Sequence, residues 1–131
     1  MGALILDASV LIGLLDTADP HHGRAVDEVA AADTAERALV TPASAYSESL
    51  VAFARGGRVA DARAAIAAMG ISVVPLTATI AERAAALRAE HGRLRPPDAM
   101  VLATAQELDG ELLAYDDRLS SLSTKRRRKG S

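Results

Sequence analysis

The sequence predicts an α/β fold in which a parallel four-stranded sheet is covered by helices on both faces. Short apolar runs alternate with longer helical segments along the 131 residues, which is the pattern of strands joined by helical crossovers. The first run, Ala3–Leu6, contains no polar residue, as expected of a strand buried on both faces. Because no repeat or interior linker divides the chain, residues 1–124 are predicted to form one domain, followed by a disordered basic tail at 125–131.

Proline, glycine and capping residues divide the chain into elements. Pro42 stands at the first turn of a helix, where proline is tolerated, and Thr77 or Thr79 is the predicted cap of the longest helix. Gly70 and Gly92 follow the ends of helices. The predicted strands are Ala3–Leu6, Leu39–Thr41, Ile71–Leu76 and Glu111–Tyr115. The predicted helices are Ser9–Leu15, Arg24–Ala32, Pro42–Ala54, Val59–Met69, Thr77–His91, Asp98–Leu108 and Asp116–Leu122.

Composition and charge restrict the possible functions. Hydrophobic residues make up 50% of the chain, enough for one packed core, and the absence of cysteine excludes disulfides and thiolate chemistry. No apolar run approaches the ~20 residues that span a bilayer, and no signal peptide is evident, so the expected compartment is the cytoplasm. Five of the 15 basic residues lie in Lys125–Lys129, which leaves 10 basic and 17 acidic residues in the body. That net charge of −7 disfavours nonspecific nucleic-acid binding and favours divalent cations.

Three acids lie where a predicted strand ends or a predicted helix begins. Asp7 and Asp116 follow the first and fourth strands, and Asp98 begins the helix that leads into the fourth strand. Since ligands of open α/β sheets bind at the carboxyl ends of the strands, we expect these acids to meet. Each of them alone can also be explained as a helix cap, which is the favoured explanation for Asp98, and Asp117 as a solvated acid in a first turn.

Glu48 lies inside a predicted helix and therefore caps nothing. Its neighbours one turn away, Ala45, Val51 and Ala52, are apolar, which predicts a carboxylate on a buried face and leaves an exposed position as the alternative. Four converging carboxylates would repel one another unless cations lie between them. Such a cluster suits Mg²⁺ or Mn²⁺, which activate water for attack on a phosphodiester.

Four motifs follow one another along the chain: Leu6–Leu11, Ser47–Leu50, Pro97–Met100 and Leu112–Leu119. In this order they resemble the PIN-domain family, and within it the toxin ribonucleases of VapBC toxin–antitoxin modules. The resemblance spans roughly residues 3 to 122, within the predicted nuclease domain 1–124. It implies a three-layer Rossmann-like fold with strand order 3-2-1-4. It also implies a hydrolase, an endoribonuclease that uses one or two Mg²⁺ or Mn²⁺ ions, a cognate antitoxin partner and a homodimer.

The resemblance implies a role for each acid. Asp7 and Asp98 would anchor the metal, Asp116 would complete the shell or a second site, and Glu48 would position the attacking water. Ser9 corresponds to the family's hydroxyl residue, which orients a carboxylate or a metal-bound water.

The chain departs from the family in two places. The family often has serine or threonine where Ala114 stands, two residues before Asp116. This departure leaves open whether Asp116 or Asp117 is the fourth acid. No clear final strand follows Leu122, and the basic tail takes its place. That tail would attract a polyanion or be only a solvated end.

Basic residues near the acids are candidates for RNA contact. Arg93 and Arg95 lie in a predicted loop before Asp98, where they would meet phosphate or serve only solubility. His21 and His22 lie in another predicted loop, at 16–22. Adjacent histidines make a poor metal pair, so we expect solvated residues there, with His22 as a candidate for substrate contact.

Three other functions compete with the nuclease. A phospho-acceptor domain needs an acid pair after the first strand and a later lysine, whereas Ala8 follows Asp7 and the first 124 residues contain no lysine. A phosphatase with an aspartyl nucleophile needs a second acid where Ser9 stands. A catalytically inactive PIN-like binding module remains an alternative because of Ala114.

Overall fold

The computed structural model describes residues 2–115 and residue 119, and four parallel strands form one sheet within them. The strand order is β3-β2-β1-β4, so the first strand is central and the third and fourth are at the edges. This confirms the predicted parallel sheet and its order. The strands are β1 (Leu4–Leu6), β2 (Leu39–Pro42), β3 (Ile71–Val74) and β4 (Glu111–Leu113).

Helices connect all of the parallel strands, as parallel pairing requires. The helix predicted at 116–122 and the tail at 125–131 lie outside the described residues, except Leu119, which is buried. In the described part of the chain the helices are α1 (Ala8–Leu15), α2 (His22–Thr34), α3 (Ala43–Arg55), α4 (Val59–Ala68), α5 (Ala78–Glu90) and α6 (Pro96–Glu107). None of these helices has the length and apolar character needed to cross a membrane.

The core consists of two hydrophobic clusters separated by the sheet. Leu112 packs against one cluster and Leu113 against the other, because successive residues of a strand point to opposite faces. One cluster draws on α5 and α6, through residues such as Leu87 and Val101. The other draws on α1, α2 and α4, through residues such as Val10, Val29 and Ile66. The three-layer arrangement follows from this division.

Most boundaries differ from the predicted ones by a few residues, and the reasons are local. The helix predicted from Asp98 begins at Pro96. Proline is tolerated there because the amide hydrogens of a first turn have no partner within the helix. The helix predicted from Arg24 begins at His22. The Thr77 side chain caps α5 as predicted, since its oxygen accepts a hydrogen bond from the Ile80 amide at 3.2 Å.

Candidate active site

Asp7 stands where the central strand turns into α1. Its amide donates to the Leu113 carbonyl oxygen of β4 at 3.1 Å, and its own carbonyl accepts from the amides of Val10 and Leu11 at 3.0 and 3.2 Å. The residue is only 7% exposed. The strand on one side and the helix that follows therefore fix the main chain at Asp7.

The peptide before Asp7 is held from the opposite side by Thr41. Its buried hydroxyl donates to the Leu6 carbonyl oxygen at 2.8 Å. In the observed register, with Leu4 opposite Leu39, the amide of residue 42 would be the next donor in the ladder. That residue is Pro42, which has no amide hydrogen, so the Thr41 hydroxyl supplies the missing donor.

The Asp7 carboxylate accepts a hydrogen bond from the Ser9 hydroxyl at 3.1 Å. Desolvation raises the pKa of the Asp7 carboxyl above its ordinary value, and the negative charge of Asp98 raises it further. The amides of Ala8 and Ser9 and the Ser9 hydroxyl act in the opposite direction. Asp7 occupies the cap position of α1, and its burial and the neighbouring charge of Asp98 distinguish it from an ordinary exposed cap.

Glu48 lies on α3 and is exposed, so the expectation of a buried face is wrong and the alternative is right. Its neighbour Val51 is 44% exposed, which shows that the side of α3 carrying Glu48 and Val51 faces solvent. Partial desolvation nevertheless raises the pKa of Glu48, and the charges of Asp7 and Asp98 add to that rise. Glu48 therefore lies within electrostatic reach of both other acids.

Asp98 is the third residue of α6, and the residue at the cap position is Arg95. Its side chain is 13% exposed, and Arg95 Nε donates to its Oδ2 at 3.2 Å. The positive charge of Arg95 also lowers the pKa of Glu48. Arg95 thus lies among the acids, whereas Arg93 is exposed in the loop before α6.

Asp7, Glu48 and Asp98 lie within electrostatic reach of one another at the carboxyl edge of the sheet. Asp116 and Asp117 lie outside the described residues. Within residues 2–115 and 119, no group of three acidic or histidine side chains is arranged to hold a metal ion. The possible metal ligands here are the carboxylates of Asp7, Glu48 and Asp98, whose charges influence one another. Carboxylate oxygens fit a hard cation such as Mg²⁺ or Mn²⁺.

The two histidines are not solvated loop residues. His22 is the first residue of α2, and its Nδ1 donates to the Gly13 carbonyl oxygen at 2.7 Å. The His21 ring lies 4.7 Å from the Tyr115 ring, centroid to centroid. Both side chains are half-buried and hold the start of α2 against its neighbours.

A groove of about 550 Å³ lies beside this edge, between the end of α1 and the second half of α3. Its lining combines apolar side chains, such as Ile12 and Phe53, with four charged residues, Asp16, Glu48, Arg55 and Arg58. The groove was not predicted, because it depends on how two helices distant in sequence lie side by side.

Thr41 and Tyr115 also contribute to the site and were not predicted to do so. A threonine that ends a strand just before a proline is the signal that identifies Thr41. No comparable local signal exists for Tyr115, whose amide donates to the Ser9 hydroxyl oxygen across 106 residues of sequence.

Solved structures that are similar to this chain include a toxin and a toxin–antitoxin complex. VapC20 from Mycobacterium tuberculosis, described as a sarcin–ricin-loop-cleaving toxin, is 20% identical, with a TM-score of 0.72 over 92% of this chain and 95% of that chain. A chain of a toxin–antitoxin complex from Klebsiella pneumoniae is 25% identical, with a TM-score of 0.69 over 87% of each chain. A comparison with curated proteins gives no significant match.

The sequence also matches the family model of the PIN domain over residues 4–125. This range contains the whole described sheet and all three acids gathered at its edge. Since the match covers most of the 131 residues, the chain belongs to the PIN domain family.

Proposed function

We propose that this protein is a Mg²⁺- or Mn²⁺-dependent endoribonuclease and the toxin of a bacterial toxin–antitoxin module. The observation that carries the proposal is that Asp7, Glu48 and Asp98 lie close enough to influence one another's charge, at the carboxyl edge of a parallel sheet. Membership of the PIN family and the likeness to two toxin structures support it.

Each acid has a role that follows from its surroundings. Asp7 and Asp98 would hold the metal, since both are largely withdrawn from solvent and fixed by hydrogen bonds. A bound Mg²⁺ or Mn²⁺ would supply charge neutralisation at the phosphate and a lower pKa for water. Glu48 is more exposed, and its raised pKa suits it to orient the attacking water and accept its proton. By sequence position, Asp116 would add a further carboxylate, with Asp117 beside it.

Three basic side chains are the candidates for RNA contact. Arg95 lies among the acids and would exchange its contact with Asp98 for a phosphate. Arg93 is exposed in the same loop. His22 is the weakest of the three, because its ring is already bonded to the Gly13 carbonyl.

The groove beside the site is where an antitoxin segment would bind. Its lining combines apolar side chains with charges of both signs and includes Glu48, so a peptide lying in it would also obstruct the active site. The Klebsiella structure is a toxin–antitoxin complex, which supports a partner of this kind. We further propose a homodimer in the cytoplasm.

The experiment that tests the proposal compares thermal melting in chelator and in added Mn²⁺. We expect Mn²⁺ to raise the melting temperature of the parent, because it relieves carboxylate repulsion and binds only the native state. The rise should be much smaller in Asp98→Ala and unchanged in Asp33→Ala, an exposed acid of α2 that serves as control.

RNA cleavage provides the second part of that experiment. Loss of cleavage in Asp7→Ala, with the fold retained, would support the enzyme. Cleavage that persists in Asp7→Ala or in excess chelator would overturn it. If Mn²⁺ stabilises none of the proteins and no RNA is cut, the inactive binding module becomes the better explanation.

A further inference from the structure

We propose that Tyr115 is a positioning residue for the Asp7 carboxylate, and that α2 holds it in place by its ring. This inference rests on the proposed function, in which Asp7 holds the metal. Tyr115 acts through Ser9 and does not itself contact the reacting atoms.

The first step is a short chain of hydrogen bonds from Tyr115 to Asp7. The Tyr115 amide donates to Ser9 Oγ at 3.0 Å, and Ser9 Oγ donates to Asp7 Oδ2 at 3.1 Å. A serine hydroxyl has one hydrogen and two lone pairs. Because the Tyr115 amide occupies a lone pair, the hydroxyl hydrogen is left to point at Asp7.

The second step is that β4 does not by itself hold this amide. β4 ends at Leu113, so Tyr115 lies two residues beyond the last strand residue. The sheet ladder alone therefore does not fix Tyr115, and the contacts of its ring contribute to its position.

The Tyr115 ring is restrained by His21, just before α2, and by Arg24 and Glu28 in the first half of that helix. The phenol hydroxyl donates to Glu28 Oε1 at 3.1 Å, and Arg24 Nε donates to the same oxygen at 2.7 Å. The Arg24 guanidinium carbon lies 4.5 Å from the ring centroid, a cation–π distance, and the His21 ring lies 4.7 Å away at 34°. Hydrogen bonding, charge and ring contact thus act on one side chain.

The state of the phenol agrees with this arrangement. Desolvation and the Glu28 carboxylate raise the pKa of Tyr115 to about 12. The hydroxyl therefore keeps its hydrogen at neutral pH and remains a donor to Glu28. The contacts form a continuous path from the solvent-facing side chain of Arg24 in α2, through Tyr115 and Ser9, to a buried carboxylate.

The test measures Mn²⁺ affinity by calorimetry together with kcat and KM for RNA. We expect Tyr115→Ala to weaken Mn²⁺ binding about 10–100-fold, the usual effect of losing a residue that orients a metal ligand, and to leave KM for RNA nearly unchanged. Tyr115→Phe, which keeps the ring, should show a smaller loss. Tyr46→Phe, the same change at a half-buried tyrosine of α3, is the control.

Coupling to Ser9 separates positioning from general destabilisation. If Tyr115 acts through the Ser9 hydroxyl, adding Tyr115→Ala to Ser9→Ala should weaken Mn²⁺ binding little further. Equal additional losses in both backgrounds would overturn the proposal, as would unchanged affinity in Tyr115→Ala. If Tyr115→Ala fails to fold, Glu28→Gln and Arg24→Ala can replace it, because both change side chains of the same cluster that are partly exposed to solvent. Each is then combined with Ser9→Ala in the same way.

A metal-free measurement distinguishes failure of this inference from failure of the proposed function. The NMR shift of the Asp7 carboxyl carbon in chelator should move in the same direction in Ser9→Ala and Tyr115→Ala. If it moves but the parent neither binds Mn²⁺ nor cuts RNA, the proposed function fails and the positioning contact stands. If the parent binds and cuts but the shift stays unchanged in Tyr115→Ala, only the positioning role fails.

Discussion

The Thr41 hydroxyl donates to the Leu6 carbonyl oxygen at 2.8 Å, at the point in the β1–β2 ladder where Pro42 has no amide hydrogen to offer. On the other side of the same peptide, the Asp7 amide donates to the Leu113 carbonyl oxygen at 3.1 Å. The peptide unit that carries Asp7 is therefore held by both neighbouring strands.

Loss of the Thr41 hydroxyl should be costly for its size. We expect Thr41→Val to lower the free energy of unfolding by about 1–3 kcal/mol, because the buried Leu6 carbonyl loses its donor while the packing volume is kept. Thr41→Ser keeps the donor and should lose less. Urea denaturation of the parent and the two variants checks this. A Thr41→Val protein as stable as the parent would show that the hydrogen bond contributes nothing.

Asp7→Asn should stabilise the metal-free protein at neutral pH. Because burial and Asp98 raise the pKa of Asp7 in the folded state, the native protein binds more protons than the unfolded chain between the two pKa values. Stability therefore falls as pH rises through that window, and the whole penalty is present above the folded pKa. Asparagine removes the charge, so its advantage in chelator should be clear near pH 7 and small near pH 3. An advantage that is the same at both pH values would contradict this electrostatic explanation.

Glu48→Gln should separate catalysis from metal binding. If Glu48 orients water and accepts its proton, we expect RNA cleavage to fall roughly 10²–10⁴-fold. The Mn²⁺-induced rise in melting temperature should largely persist, because Asp7 and Asp98 remain. If Glu48→Gln loses RNA cleavage and Mn²⁺ stabilisation to the same extent, Glu48 is a metal ligand like Asp7 and Asp98.

Arg95→Gln should change metal and RNA binding in opposite directions. Arg95 donates to Asp98 and carries a positive charge near Glu48, so its removal should tighten Mn²⁺ binding a few-fold. Loss of a phosphate contact should at the same time raise KM for RNA, on the order of 10-fold. Calorimetry and steady-state cleavage measure the two effects, with Arg63→Gln on the exposed side of α4 as control.

Much of the fold could be predicted because it depends on local patterns. Buried apolar runs such as Leu4–Leu6 identify strands, and Gly70 follows the end of α4 with a positive φ of 75°, a conformation that glycine adopts without strain. Proline was less reliable as a guide. Pro96 and Pro97 belong to α6 and not to the loop before it, because a helix accepts proline in its first turn.

The candidate site was predictable only where strand ends determine it. Asp7 follows from its place after a central strand, whereas burial of Glu48 was misjudged because alanine neighbours do not distinguish a core face from an exposed one. The contacts of Tyr115 with Ser9 and Glu28 span 106 and 87 residues. Such pairs depend on the packing of distant elements, which no local pattern in one sequence records.

The two prolines at the start of α6 also limit how this edge of the sheet can bind an anion. The first turn of a helix normally presents free amide hydrogens to a phosphate, together with the positive end of the helix dipole. Pro96 and Pro97 remove two of those hydrogens beside Asp98. A phosphate arriving there would meet few main-chain donors, so its recognition would depend on arginine side chains and, under the proposed function, on a bound cation. Backbone-only binding of phosphate, common in other α/β proteins, is thereby disfavoured at this helix.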